Sequence, residues 1–147
     1  MSRGYSLMEL VVVLAVLAVA AAVVAPAVGR TAEDVRTRAD VGAVAAFLRA
    51  AREQAITRQQ AVEVVLDPQA HALLLRGAGR DGASVVQASR AVSPRLRIGS
   101  DTAAARVVFL PHGMSTGARF AIEAPGSRAY VIGVDALTGR VSTRRAS

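Results

Sequence analysis

The sequence contains no cysteine and no tryptophan, and it has only two histidines, His71 and His112. Without thiols the chain cannot form disulfides, thiolate zinc sites or a cysteine nucleophile. Two imidazoles are too few for a histidine-rich metal centre, so His71 is interpreted as a strand residue rather than a ligand. We therefore expect no metal site and no cofactor. The absence of cysteine leaves the redox compartment open.

Lysine is absent as well, so that all 18 basic residues are arginine, and the formal net charge is +7. Such a surplus can indicate an anionic partner, for example nucleic acid or lipid headgroups. The arginines are scattered from Arg3 to Arg145 and form no block, which favours a compositional preference for arginine over lysine. Charge alone leaves both interpretations open.

Charge is also missing from a long stretch near the N-terminus, since residues 10–25 are sixteen consecutive apolar residues. With the apolar residues that flank it, this stretch is long enough to span a bilayer as a helix, which takes about 20 residues. Its ten Val and Leu residues contribute about −3 to −6 kcal/mol to insertion. Glu9, at the head of the stretch, opposes this by at most about 3 kcal/mol. Insertion is therefore favoured.

Two ordinary interpretations of this segment compete. A secretory signal peptide would use Arg3 as its charged region and Ala-Pro-Ala at residues 25–27 as its cleavage site. Its apolar region, however, spans only about 7–15 residues and is not headed by an acid. A plain single-pass anchor explains the length but not Glu9, because a carboxylate in a membrane is costly and normally has a partner.

The N-terminus resembles the processing signal of type IV pilins and type II secretion pseudopilins over residues 4–14, GYSLMELVVVL. The resemblance implies that a prepilin peptidase cleaves between Gly4 and Tyr5 and N-methylates Tyr5. It also implies that Glu9 acts in filament assembly. Tyr5 stands where the family usually has phenylalanine, and Pro26 falls where the family has a proline that bends the anchor helix.

The physical chemistry of these residues is consistent with the resemblance. A glycine before the cut lets the backbone enter a protease cleft without a side-chain clash. Cleavage creates a positive α-amine, and Glu9 offers this amine, or that of a neighbouring subunit, an opposite charge that would set axial register. The flanking charges alone would instead predict a cytoplasmic C-terminus, because only Arg3 precedes the segment while three arginines follow it closely. A cytoplasmic N-terminus is thus implied by the resemblance and not by the charges.

Beyond the anchor the pattern changes from helix to strands. Five apolar residues recur at helical spacing: Val41, Val44, Leu48, Ala51 and Ala55. This stripe predicts an amphipathic helix, which together with the anchor would run from Ser6 to about Gln59. Short apolar runs between Gly and Pro turns then predict antiparallel strands at residues 61–66, 71–76, 85–88, 106–110, 119–124, 129–134 and 140–143.

The later segments narrow the resemblance to H-type minor pseudopilins. They are LRAAREQAI at residues 48–56, VVFLPHGMSTG at residues 107–117 and VDALTGRV at residues 134–141. The resemblance implies an α+β, pilin-like fold, in which a long N-terminal helix, a membrane anchor continuing into an amphipathic half, packs on antiparallel β-sheets. It divides the chain into a cytoplasmic leader (1–4), a transmembrane and filament-core helix (5–28) and a periplasmic head (29–147).

Two motifs look catalytic. G-x-G-x-x-G at residues 77–82 would need a helix at its third glycine to bind a dinucleotide, but residues 83–88 are strand-like. A glycine-rich hairpin loop is the better interpretation. G-x-S-x-G at residues 113–117 lacks the following helix, and no histidine comes after Ser115, as a nucleophile elbow requires. We therefore do not expect an enzyme.

The C-terminus suggests an alternative ligand. Some minor pilins of natural competence bind DNA through a glycine-arginine motif with a second arginine two residues on. Gly139 and Arg140 resemble the start of that motif, but Ser142 stands at the later position, where Arg144 and Arg145 would have to substitute. These three arginines are the candidate DNA-binding residues, and a solvated tail is the favoured interpretation.

The resemblance as a whole implies a minor pseudopilin, a structural subunit at or near the tip of the type II secretion pseudopilus, which drives export of folded proteins across the outer membrane. The expected partners are prepilin peptidase, other major and minor pseudopilins and inner-membrane lipid. Secreted cargo and the outer-membrane channel are further candidates, and nucleic acid is not expected. The expected location is single-pass in the inner membrane, with a cytoplasmic N-terminus and a periplasmic C-terminal domain. The alternative is a minor pilin of a type IV pilus that binds DNA in natural transformation.

Overall fold

One long helix precedes all the strands in a computed structural model that describes residues 6–79, 82–101 and 105–146, without the side chains of residues 24–31. This helix, α1, comprises Leu7–Arg58 and agrees with the predicted bounds to within one residue at each end. The chain divides into two units, Met1–Arg36 and Thr37–Ser147, and α1 contributes residues to both. This division follows packing. The predicted boundary between residues 28 and 29 is a different one, because it separates the expected membrane anchor from the expected periplasmic head, and it stays a prediction.

In the first unit the helix begins after Ser6, whose carbonyl accepts hydrogen bonds from the N–H groups of Glu9 and Leu10 at 3.0 and 3.2 Å. The apolar side chains that follow surround the helix and are exposed, for example 57% at Leu14. Within the described residues, none of the helix is both long and apolar enough to qualify as a membrane span. The predicted anchor at residues 5–28 includes Tyr5 and side chains from residue 24 onward, which lie outside the described residues.

In the second unit α1 buries the predicted stripe. The buried residues of the stripe are Val41, Val44, Leu48, Ala51 and Ala55, and the last three have no exposed surface. The helix ends in a left-handed cap, because Gln59 has a φ of 52° and the N–H of Gln60 donates to the Ala55 carbonyl at 3.2 Å. Such a cap satisfies a carbonyl that the helix itself leaves free.

Eight antiparallel strands follow the helix in the described part of the chain. They are β1 (Val62–Asp67), β2 (Ala72–Ala78), β3 (Ser84–Ala91), β4 (Arg97–Ser100), β5 (Arg106–Phe109), β6 (Ala118–Ala124), β7 (Arg128–Val134) and β8 (Val141–Ala146). They form two sheets with the strand orders β3-β2-β1-β5 and β4-β6-β7-β8. In β1 and β6 every second residue is buried, as expected for sheets with one face on a core.

A single hydrophobic core joins the buried face of α1 to both sheets. Its large, fully buried side chains include Leu48 from the helix, Leu73 and Phe109 from the first sheet, and Phe120 and Ile132 from the second. The arrangement confirms the predicted α+β fold, in which a long helix packs on antiparallel sheets.

The strand predictions were wrong in four places. β3 extends three residues beyond its predicted end at residue 88, because β2 offers it partners as far as Ala72. β4 was not predicted, because its sequence has one large apolar residue, Ile98, and its regularity comes from pairing with β6, where Ile98 lies opposite Ile122. β8 extends to Ala146 because β7 offers it partners as far as Ala129. His71 lies in the turn before β2 with a φ of 45°, and so it is not a strand residue.

Candidate functional site

The predicted processing and assembly residues lie in the first unit. Gly4 and Tyr5, like the side chain of Pro26, lie outside the described residues, so cleavage, methylation and the helix bend stay predictions. Glu9 is exposed in the first turn of α1, where the helix dipole stabilises a carboxylate. It is the only charged residue between Ser6 and Gly29. Its side chain has no hydrogen bond or ion pair to another described residue.

The first catalytic-looking motif connects β2 to β3. The N–H of Gly79 donates to the Ala83 carbonyl at 2.7 Å, which closes the connection. A β-carbon on Gly77 would collide with Gln87, whose side chain accepts hydrogen bonds from Arg58, at 2.8 Å, and from Gln54 on α1. A strand follows the third glycine, so the interpretation as a hairpin loop is confirmed.

The second catalytic-looking motif holds two loops together. Ser115 is buried, and its hydroxyl donates to the Asp135 carbonyl at 2.9 Å and accepts the Gly117 N–H at 3.0 Å. The next element is β6 and not a helix, and the preceding His112 is exposed. In the part of the chain that the structure describes, no three acidic or histidine side chains are grouped as metal ligands. The hydrogen bonds of the hydroxyl account for Ser115 without catalysis.

The turn between β7 and β8 is closed around Asp135. Its carboxylate accepts hydrogen bonds from the N–H and the hydroxyl of Thr138, both at 2.8 Å. The hydrogen bond from the Thr138 N–H, followed by that from the hydroxyl, lowers the pKa of Asp135 below its ordinary value of 3.8. The N–H of Gly139 donates to the Asp135 carbonyl at 2.9 Å, and Gly139 itself has a φ of 62°.

Arg52 hydrogen-bonds one of these loops to the helix and lies close to the other. Its Nε donates to the Gly113 carbonyl at 3.2 Å. A β-carbon on Gly139 would overlap the carbonyl oxygen of Gly113 and lie 2.9 Å from Arg52 Nε, so only glycine allows this approach. The three segments whose sequences resemble H-type minor pseudopilins therefore meet at one place. They are residues 48–56, 107–117 and 134–141. Sequence reasoning did not single out Arg52, whose only signal was its position beside the apolar stripe.

The three candidate DNA-binding arginines do not lie together. Arg140 lines a cleft of about 570 Å³ beside Arg49 and Arg52 of α1. Arg144 and Arg145 line a separate depression of about 840 Å³ on the second sheet. The structure thus divides the candidate residues between two surfaces.

Comparison with models of known protein families shows which family the sequence matches. The family model described as type II transport protein GspH matches residues 40–138, more than half of the chain. The chain belongs to the GspH family. A second model, the prokaryotic N-terminal methylation motif, matches residues 1–25, which include Gly4, Tyr5 and Glu9. No curated protein matches this GspH-family chain.

Solved structures share the fold of this GspH-family chain. The type IV minor pilin FimU of Pseudomonas aeruginosa has a TM-score of 0.62 and 19% identity, over 76% of this chain and 90% of FimU. The minor pseudopilin EpsH from the type 2 secretion system of Vibrio cholerae has a TM-score of 0.60 and 14% identity, over 75% of this chain and 95% of EpsH. These identities show the fold alone. Family membership and the methylation motif make the chain a minor pseudopilin or a minor pilin.

Proposed function

We propose that the chain is a minor pseudopilin, a non-enzymatic subunit at or near the tip of the type II secretion pseudopilus that drives export of folded proteins across the outer membrane. The observation that carries the proposal is the presence in one chain of the methylation motif over residues 1–25 and the GspH family match over residues 40–138. The motif implies processing by a prepilin peptidase, and the family implies assembly with other pseudopilins.

The proposal gives each N-terminal residue a role. The peptidase removes residues 1–4 and methylates Tyr5, and residues 5–28 anchor the protein in the inner membrane and later enter the filament core, with a bend at Pro26. Glu9 pairs with a mature α-amine, and residues 29–147 lie in the periplasm. The exposure of the apolar side chains on the described part of this helix supports burial in lipid or among other subunits.

A second candidate function is a minor pilin of a type IV pilus that binds DNA in natural transformation. The likeness to FimU, a type IV minor pilin, favours it, because its TM-score of 0.62 is close to the 0.60 for EpsH. The DNA-binding part has less support. A local DNA site would gather Arg140 with Arg144 and Arg145, whereas Arg140 lines a different surface from the other two.

Processing is tested by expressing the full chain together with a prepilin peptidase. We expect mass spectrometry to show loss of Met1–Gly4 and one added methyl group on the amine of Tyr5. A Gly4→Glu variant should stay uncleaved, because a side chain there obstructs the protease cleft. Cleavage near Ala27 in the wild-type chain would instead identify a signal peptide and overturn the proposal.

Deletion of the gene in its native host separates the two candidates. A pseudopilin predicts loss of exported folded proteins, measured in the culture medium, with pili and DNA uptake unchanged. A minor pilin of DNA uptake predicts the opposite pattern. Complementation with the wild-type gene should restore whichever function is lost.

A further inference from the structure

One cleft in the second unit combines three arginines with a single acid. Arg49 and Arg52 lie one turn apart on α1, and Arg140 follows the turn that Gly139 closes. Glu53 also lines the cleft, which encloses about 570 Å³. Three guanidinium groups against one carboxylate leave a local charge of +2, so the cleft is suited to an anion.

The guanidinium group of Arg52 is already held in place. The side chain is half-buried, and its Nε is committed to the Gly113 carbonyl at 3.2 Å. The close approach of Gly139 restricts it from the other loop. A guanidinium group has five N–H donors, so one committed donor leaves others for a ligand. A donor that is fixed before binding loses little conformational entropy when the ligand arrives.

The other charged groups of the cleft have no partner among the described residues. Arg49 and Arg140 are exposed, and neither side chain makes a hydrogen bond or an ion pair there. Glu53 makes none either, although it follows Arg49 by one helical turn. Ion pairing does occur elsewhere in this unit, between Arg106 and Glu63 at 3.3 Å. The cleft therefore presents positive charge that the fold has not neutralised.

We propose that this arginine cleft binds a carboxylate of an acidic neighbouring subunit in the filament. The inference rests on the proposed function and adds to it a place and a chemistry for one subunit contact. Arg52 would be the positioned donor, and Arg49 and Arg140 would flank the bound group. The planar fork of a guanidinium group matches a carboxylate with two parallel hydrogen bonds.

Charge decides between the occupants. A second copy of this chain is also strongly basic, with a net charge of +7 before processing, so electrostatic repulsion opposes self-association and favours a different, acidic subunit. DNA presents a phosphate about every 1.7 Å along its axis and is best bound by a continuous basic track. Glu53 interrupts the basic lining, and Arg144 and Arg145 line another depression. A compact group of three arginines suits a single carboxylate better.

The inference is tested with the full chain in an uncharged detergent, using a fluorescent octaglutamate peptide and a fluorescent dT12 oligonucleotide as probes. The test variant is Arg49→Gln/Arg140→Gln. The matched control, Arg144→Gln/Arg145→Gln, removes the same charge from exposed arginines outside the cleft. At about 50 mM salt, where screening is weak, we expect the test variant to weaken peptide binding at least tenfold and the control to weaken it less than twofold.

Three outcomes would overturn the inference. The first is that the wild-type chain fails to bind octaglutamate. The second is that both double variants lose binding equally, which would indicate an effect of net charge rather than of the cleft. Alternatively, dT12 would bind more tightly than octaglutamate and lose its affinity only in the test variant, which would assign the cleft to phosphate. Circular dichroism of each variant checks that the fold persists, as expected for exposed side chains.

Assembly in cells separates this inference from the function on which it rests. Arg49→Glu/Arg140→Glu should be cleaved normally but should cross-link poorly to other subunits and should not restore secretion to the deletion strain. Arg144→Glu/Arg145→Glu should restore it. Normal incorporation of the first variant would overturn the cleft while leaving the pseudopilin assignment intact. A wild-type chain that is not cleaved at Gly4–Tyr5 would overturn the assignment itself, whatever the peptide shows.

Discussion

The helix α1 carries apolar side chains in both units of the chain, but their surroundings differ. Between Leu7 and Val23 they surround the helix and are exposed, 57% at Leu14 and 72% at Val23. Between Val41 and Ala55 the residues of the predicted stripe are buried, and none of these five is more than 4% exposed. A one-sided stripe needs one partner surface, which the two sheets provide. A helix that is apolar all round needs lipid or several other helices.

The comparison shows that folding buries one apolar surface and leaves the other exposed, which the proposed function assigns to lipid or other subunits. Alanine illustrates the difference. Ala51 and Ala55 are fully buried because their small side chains let the core approach the helix closely. Ala20 has the same side chain, and it is exposed. Burial is therefore decided by what lies opposite a residue, and the predictions below test this difference.

The largest expected effect is on the buried stripe. Leu48→Ala should lower the free energy of unfolding by about 2–5 kcal/mol, because it removes a fully buried side chain and leaves a cavity. Leu14→Ala is the matched control in the exposed part and should change it by less than about 0.5 kcal/mol. Urea unfolding of the full chain in detergent, followed by Tyr130 fluorescence in a Tyr5→Phe background, measures both. Equal losses of unfolding free energy in the two variants would contradict the difference between the buried and the exposed part of the helix.

The next effect concerns the loops that close over the buried part of the helix. Gly139→Ala should cost about 2–4 kcal/mol, because alanine is strained at a φ of 62° and its β-carbon overlaps the Gly113 carbonyl. Gly126→Ala is the control, since Gly126 also has a positive φ, of 78°, but a β-carbon there would meet no atom closer than 3.8 Å. It should cost only about 1–2 kcal/mol. The same unfolding assay applies, and a control as damaging as Gly139→Ala would contradict the close approach.

A smaller effect is expected for the only charge in the exposed apolar part. Glu9→Ala should leave insertion and cleavage intact, because removing a charge makes insertion easier. Incorporation into the filament should fall about tenfold, equivalent to about 1.4 kcal/mol, because the mature amine loses its partner. Glu33→Ala, an exposed acid further along the same helix, should incorporate normally. Normal secretion and normal cross-linking of Glu9→Ala would show that the carboxylate has no role in assembly.

The smallest effect is a pH dependence in the turn before β8. The pKa of Asp135 is lowered in the folded state, so its carboxylate stabilises the fold above the ordinary pKa near 3.8, and this contribution disappears as the pH falls through the lower, folded value. The difference in Tm between wild type and Asp135→Asn should therefore be constant at neutral pH and vanish in strong acid. Glu123→Gln, on an exposed position of β6, is the control. A difference in Tm that increases toward low pH would contradict the lowered pKa of Asp135.

The sequence by itself determined the features that depend on local periodicity. The stripe from Val41 to Ala55 has a helical period, and together with the apolar anchor run it predicted the helix bounds to within a residue. The short apolar runs between turn residues predicted seven of the eight strands found in the described residues, and the strand-like residues after Gly82 excluded a dinucleotide-type turn. The processing signal at residues 4–14 is equally local, because the peptidase motif is a contiguous run, and the methylation-motif match covers it.

The tertiary structure alone decided the features that depend on residues far apart in the chain. β4 becomes a strand because β6 lies beside it, and its own residues show no alternation. Arg49 and Arg52 meet Arg140 only because the helix and the turn before β8 pack on the same core, with Gly113 and Gly139 close enough to hold Arg52. The same packing separates Arg140 from Arg144 and Arg145, which lie close to it in sequence. Local patterns cannot encode such groupings, because they arise from contacts between elements whose order in space is set by the whole core.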